Sequence, residues 1–150
     1  MSAMTQHQHD TFTSVEAFVW LGFHHDVSLD FRVRLPNDKA SAKRVLEAVG
    51  CYNSFDPGKT FEIIDGWWDF VMRFELAREG SVALYATFPW YQHQALGSTT
   101  EGFWLSRDAV PVATETCKVF ADPLAVELTD IGACETSYDT ALRMLRAWWD

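Results

Sequence analysis

The chain has 150 residues, of which 48% are hydrophobic and 22% charged. These values are typical of a globular protein and exclude a mainly disordered chain, and the length suits one domain. The formal net charge is −9, so nucleic-acid phosphates and anionic membrane surfaces should repel the protein. A basic protein partner, or no macromolecular partner, is the better expectation.

The composition also bears on location. No stretch of about 18 apolar residues is present, so we expect no membrane span. Residues 1–14 are polar, without the basic start and apolar centre of a signal peptide, and we predict a disordered tail there and a single α+β domain over 15–150. The three cysteines are widely spaced and odd in number (Cys51, Cys117 and Cys134), which favours a reducing cytoplasm over a disulfide framework.

The first half of the chain predicts a hairpin and a helix. Residues 15–23 and 27–35 are rich in β-forming side chains, and the second run alternates apolar with polar residues, as a half-exposed strand does. Together they predict an antiparallel hairpin. Residues 38–49 predict a helix with Asp38 or Ser41 as its N-cap and Gly50 at its C-terminal end.

The middle of the chain predicts a meander of three strands. Asp65 and Gly66 form a two-residue hairpin signal between the β-forming runs 61–64 and 67–76, because a type I′ turn requires positive φ at both positions. A third alternating run covers 81–88. A long loop over 89–102 and two weaker strands complete this part.

The last thirty residues divide into an ambiguous and a clear part. Residues 121–135 combine a helix-start signal, Asp122-Pro123, with strand-like alternation, so the sequence leaves their structure open. From Thr136 onward, apolar residues recur at helical spacing and predict a terminal amphipathic helix. The fold class predicted is therefore α+β: an antiparallel sheet of about five to seven strands with an internal helix and a C-terminal amphipathic helix packed on it.

Motifs that would identify an enzyme are missing. The sequence contains no G-x-G-x-x-G, G-x-x-x-x-G-K-[ST], H-E-x-x-H, C-x-x-C or G-x-S-x-G pattern. His24, His25 and Asp26 form the densest potential metal cluster, but neighbouring residues of a strand point to opposite faces, so a solvated turn is the simpler interpretation. Glu62 and Asp69, predicted on paired strands, are most simply part of a wet sheet face. We expect no metal, no cofactor and no catalytic residue.

Acidic residues are concentrated towards the end of the chain. Residues 108–139 contain seven acidic residues and one basic residue, a net charge of −6 out of the total of −9. Such a surface can steer a basic partner, although it can also serve solubility alone. Aromatic pairs at 67–68 and 90–91 add candidate anchors, since exposed Trp and Tyr are favoured at interfaces. The residues predicted to bind a partner are Asp122, Glu127, Asp130, Glu135, Asp139, Trp67, Trp90 and Tyr91.

These features support three hypotheses of function. The first is a small acidic protein that neutralises a basic, nucleic-acid-handling protein, as toxin-immunity and phage anti-defence inhibitors do. The second is a small-molecule binder or small enzyme with a pocket between sheet and helices. That pocket would use Trp68, Phe70, Tyr85 and Trp104, with His24, His93 or Glu62 as polar groups. The third is an oligomeric assembly protein, and the oligomeric state is left open.

Overall fold

The computed structural model describes residues 14–24, 30–89 and 121–150, which form four helices and one antiparallel sheet of five strands. The elements in chain order are α1 (Ser14–His24), β1 (Phe31–Arg34), α2 (Lys39–Val49), α3 (Pro57–Trp67), β2 (Arg73–Glu79), β3 (Ser81–Thr87), α4 (121–130), β4 (Glu135–Asp139) and β5 (Met144–Trp149). The predicted α+β class is confirmed. The predicted tail and the two weaker strands lie outside the described residues, apart from Ser14, which begins α1.

The sheet has the strand order β1-β2-β3-β5-β4, and every pair of neighbours is antiparallel. The β2–β3 hairpin turns at Gly80, which has φ +74°. β3 then pairs with β5, for example Leu84 with Ala147, although the two strands are far apart in the sequence. This places β3 at the centre, where each of its residues is buried.

The main core lies between one face of the sheet and the helices. β2, β3 and β5 direct alternate side chains such as Leu76, Leu84 and Trp149 to this face, and all four helices contribute buried residues to the same cluster. Trp149 is fully buried and meets Phe55 edge to face at 5.1 Å. Each large apolar side chain buried here stabilises the fold by roughly 1.5–3 kcal/mol.

The predicted internal helix is confirmed as α2. Its N-cap is Asp38, whose carboxylate accepts hydrogen bonds from the Ser41 backbone N–H at 2.9 Å and the Ser41 hydroxyl at 2.8 Å. These bonds lower the pKa of Asp38, because they stabilise the ionised carboxylate. Gly50 ends the helix at φ 70° and ψ −167°. The alternation predicted for 27–35 is also confirmed where it is described, with Arg32 and Arg34 pointing away from the core.

The first predicted hairpin is wrong, because residues 14–24 form the helix α1. The buried residues Glu16, Val19 and Phe23 follow a helical spacing, and the run has no polar residues at alternate positions to give a strand its wet face. α1 packs closely on β1: a Cβ added to Gly22 would lie 2.3 Å from the Phe31 ring.

The predicted hairpin at Asp65 and Gly66 is also wrong, because both residues lie inside α3. Asp56 caps this helix by accepting from the Lys59 N–H at 3.1 Å, and Pro57 takes the first helical position, where its missing N–H costs nothing. Strong start signals nine residues earlier therefore outweigh a local turn signal. The strand predicted from Trp67 begins only at Arg73.

The predicted C-terminal amphipathic helix is wrong as well. Residues 135–149 form the β4–β5 hairpin, with Leu145, Ala147 and Trp149 buried at alternate positions. The turn contains Arg143 at φ 53°, and the Asp139 carboxylate accepts from the Leu142 N–H at 3.0 Å. Pairing with the central strand β3 outweighs the helical spacing, because β5 supplies the second set of backbone partners that β3 requires.

Candidate interaction surface

Trp67 and Glu127 connect α3 with α4. Trp67 is the last residue of α3 and is half-buried, and its indole Nε1 donates a hydrogen bond to Glu127 Oε2. Phe70 lies one turn further along and contacts Trp67 edge to face, with ring centroids 6.0 Å apart. Because Phe70 is 45% exposed, the two rings present apolar area to solvent beside an acidic helix.

α4 carries acidic residues on the side that faces away from the core. Ala121, Leu124 and Leu128 are buried, so helical geometry turns the remaining positions outward. Asp122 and Asp130 are exposed on that side, one turn before and one turn after Val126, which is 59% exposed. We call this set the acidic–aromatic surface. Its members are Trp67, Phe70, Asp122, Val126, Glu127 and Asp130.

The carboxylates of this surface are not neutralised within the described part of the chain. No Lys or Arg side chain there forms a salt bridge with Asp122, Glu127 or Asp130. Nearby, Lys39 is already paired with Asp65 at 2.8 Å, and this pairing, with Asp69 adding to it, raises the pKa of Lys39. These carboxylates therefore carry negative charge that no Lys or Arg of the described ranges neutralises.

The opposite face of the sheet carries a network of paired charges, in which Arg32 is paired with Glu75 and Arg146 with Glu79. Arg32 donates to both carboxylate oxygens of Glu75 at 3.2 and 3.1 Å, and its guanidinium lies 3.9 Å from the Tyr85 ring centroid. Glu79 accepts from the Tyr85 hydroxyl at 2.6 Å and from Arg146 Nε at 2.9 Å. Burial, together with this bond to Glu79, raises the pKa of Tyr85. Each charged group of this network has a partner of opposite sign.

The sequence-predicted binding residues divide into three groups. Trp67, Glu127, Asp122 and Asp130 come together on the acidic–aromatic surface. Glu135 and Asp139 lie on β4 and share the opposite sheet face with Trp148 and Met144, their pairing partners. Trp90 and Tyr91 lie outside the described residues.

Two members of the surface, Phe70 and Val126, were missed by the sequence interpretation. The Asp65-Gly66 turn signal predicts a strand over 67–76 and so puts Phe70 on a strand, whereas it lies in the turn after α3. Val126 lies in the segment whose structure the sequence left open. Asp56-Pro57 and Asp122-Pro123 are helix-start signals for α3 and α4, the two helices that position Phe70 and Val126.

Among the residues that the structure describes, the other chemical candidates do not assemble into a site. The described residues contain no group of three or more potential metal ligands. His24 donates from Nε2 to the Ala48 carbonyl at 2.9 Å and stacks on Trp20. Glu62 and Asp69 are exposed on α3 and in the turn after it, so they do not face each other across paired strands. Cys51 and Cys134 are exposed free thiols. His25, Asp26 and Cys117 lie outside the described residues.

The described residues named for the predicted small-molecule pocket do not lie together. Trp68 stacks on Phe74 on the helical side of the sheet, whereas Tyr85 lies on the opposite face and Phe70 is exposed. Trp104 and His93 lie outside the described residues. A different cavity of about 420 Å³ is present between α1 and α2, and its lining includes Trp20, His24, Arg44 and the buried Glu16.

Neither the described helices nor comparison with known proteins assigns a function to the chain. None of the described helices combines the length and the hydrophobicity needed to cross a bilayer. Comparison with models of protein families, with curated proteins and with solved structures found no match to this chain. The function must therefore be argued from the surface itself.

Proposed function

We propose that this protein binds a basic protein and neutralises it by covering its functional surface. The observation that carries the proposal is the hydrogen bond between Trp67 and Glu127, which joins a partly exposed aromatic pair to carboxylates of α4 that no described Lys or Arg neutralises. Aromatic residues at the centre of an acidic surface combine the two properties that protein partners use, an apolar anchor and charge complementarity.

The two parts of the surface act at different stages of binding. Asp122 and Asp130 attract basic side chains over a distance of about one Debye length, which raises the association rate. Trp67, Phe70 and Val126 are desolvated on contact and slow dissociation. Glu127 fixes the orientation of the Trp67 indole, so less freedom is lost when the partner binds.

A nucleic-acid-handling protein is the partner class that fits this surface. Such proteins bind phosphates with clusters of Lys and Arg, and carboxylates can occupy the same side chains. Covering that cluster would displace the nucleic acid. The proposed activity is therefore competitive inhibition of a phosphate-binding surface, as in toxin-immunity or anti-defence inhibitors.

Affinity purification from the native host, followed by kinetics with the captured protein, tests this proposal. The double variant Asp122→Lys, Asp130→Lys should lower the association rate constant at least about tenfold at low salt and flatten its salt dependence. The control variant Glu47→Lys, Glu62→Lys makes the same change in net charge at exposed positions outside the surface. Trp67→Ala should raise the dissociation rate about thirtyfold or more, which is the size of an interface hot spot. Equal effects of the test and control variants, or no captured protein, would overturn the proposal.

The cavity between α1 and α2 favours small-molecule binding as a second candidate function. Its volume of about 420 Å³ lies in the range of ligand pockets. The buried Glu16 carboxylate, paired with Arg44 at 2.9 Å, places charge at its wall. A thermal-shift screen with polar aromatic compounds, repeated on Trp20→Ala, tests this alternative. Stabilisation that is equal in wild type and variant would exclude the cavity as the site.

A further inference from the structure

β4 forms one edge of the sheet. β5 pairs with one of its sides, and no other described strand pairs with the second side. Glu135, Thr136 and Ser137 are exposed, and none of the strands in the described ranges lies against this side of β4. The outer backbone N–H and C=O groups of an edge strand are a template for an additional extended chain.

The side chains of β4 specify which extended chain fits. Glu135, Ser137 and Asp139 share one face, since they pair in register with Trp148, Arg146 and Met144. The two carboxylates lie four positions apart, which is roughly 13 Å along a strand. No Lys or Arg of the described residues forms a salt bridge with either of them. An added strand with two basic residues four positions apart would place a cation beside each carboxylate.

We infer that β4 binds an extended basic segment of the partner protein as a sixth strand of the sheet. This inference rests on the proposed function for the nature of the partner, but it concerns a separate surface. Main-chain hydrogen bonds along β4 provide the pairing. Glu135 and Asp139 select Lys or Arg at positions i and i+4 of the segment, because opposite charges on neighbouring strands attract.

A second copy of this chain is a poorer occupant of the edge. Antiparallel pairing of two β4 strands centred on Ser137 would place Glu135 of each copy opposite Asp139 of the other, and like charges directly opposite are destabilising. The other edge strand, β1, has only four residues, and its Arg32 is held by Glu75. Charge complementarity therefore favours a segment of another protein.

A synthetic peptide tests the inference without the native partner. The probe is a capped nine-residue peptide of threonines with glycine ends, lysine at its third and seventh positions and serine at its fifth. Titration into the isotope-labelled full-length protein should slow amide exchange in β4 and shift its resonances. Replacing the central serine with proline keeps both charges but removes main-chain pairing, and should weaken binding at least tenfold. Replacing both lysines with glutamate should abolish binding.

Protein variants separate this inference from the proposed function. Glu135→Lys combined with Asp139→Lys should weaken peptide binding at least tenfold, whereas Asp122→Lys combined with Asp130→Lys should change it less than twofold. Equal binding of the lysine and proline peptides would overturn the inference, because it would show attraction without strand pairing. Protection of β4 that depends on protein concentration in the absence of peptide would overturn it in favour of self-association. Peptide binding by a protein that captures no basic partner would leave the edge site standing and remove only the proposed function.

Discussion

Gly50 and Gly66 show how the same residue type has different roles in this chain. Gly50 has φ 70° and ψ −167°, a region of backbone conformation open essentially to glycine alone. Gly66 lies within α3 at no positive φ, and a Cβ added there would meet no atom within 4 Å. The sequence alone placed Gly50 correctly at the end of a helix, but it interpreted Gly66 as the second residue of a tight turn.

Replacing each glycine with alanine should change stability in opposite directions. Gly50→Ala should lower the free energy of unfolding by about 1–3 kcal/mol, because alanine is strained at this φ and ψ. Gly66→Ala should raise it by roughly 0.5–1 kcal/mol, because alanine loses less conformational freedom in a helix. Urea denaturation followed by circular dichroism measures both values. A destabilising Gly66→Ala variant would restore the turn interpretation and contradict α3.

At the scale of elements, the sequence predicts β1 correctly because polar residues occur at every second position of that run. Arg32 and Arg34 mark β1 in this way. Residues 15–23 have no such alternation of polar side chains, and their apolar side chains fit neither the helical nor the strand spacing clearly. This segment is a helix because it packs on α2 and β1. In the terminal segment, apolar residues recur at helical spacing, but the residues that are buried in the fold alternate as in a strand. The sequence alone could therefore not decide between a helix and a hairpin.

Leu142 and Leu145 distinguish the two structures of the terminal segment. In the predicted helix both leucines face the core, whereas in the β4–β5 hairpin Leu142 is 56% exposed and Leu145 is 2% exposed. Leu145→Ala should therefore lower the free energy of unfolding by about 2–5 kcal/mol. Leu142→Ala should change it by less than about 0.5 kcal/mol, as surface substitutions do. Comparable losses in the two variants, measured by urea denaturation, would support the helix.

At the scale of the whole molecule, charge is distributed unevenly over the surface. The helical side carries the carboxylates of α4, which form no salt bridge with a described Lys or Arg, while the opposite sheet face pairs Arg32 with Glu75 and Arg146 with Glu79. The sequence predicted the acidic segment and selected both Trp67 and Glu127. Their contact could not be predicted, because they are 60 residues apart and meet only through the packing of α3 beside α4.

The long-range pairing of β3 with β5 makes the fold depend on its final hairpin. A chain that ends at Gly132 would lose β4 and β5, expose one edge of the central strand and remove Leu145, Ala147 and Trp149 from the main core. We expect this truncated chain to show no cooperative unfolding transition, because the lost burial is comparable with the 5–15 kcal/mol that typically stabilises a whole domain. Urea titration followed by near-ultraviolet circular dichroism, with the full chain as reference, measures this. A sigmoidal transition in the truncated chain would contradict the prediction.

The close packing of Gly22 against Phe31 has an evolutionary consequence. A side chain at position 22 would occupy the space of the Phe31 ring, since its Cβ alone would lie 2.3 Å from that ring. In related sequences we therefore expect a larger residue at position 22 to occur together with a smaller residue at position 31. Alanine or serine at 22, for example, should be accompanied by a residue smaller than phenylalanine at 31. Such paired replacement would be recognisable as covariation even between chains whose remaining residues have diverged.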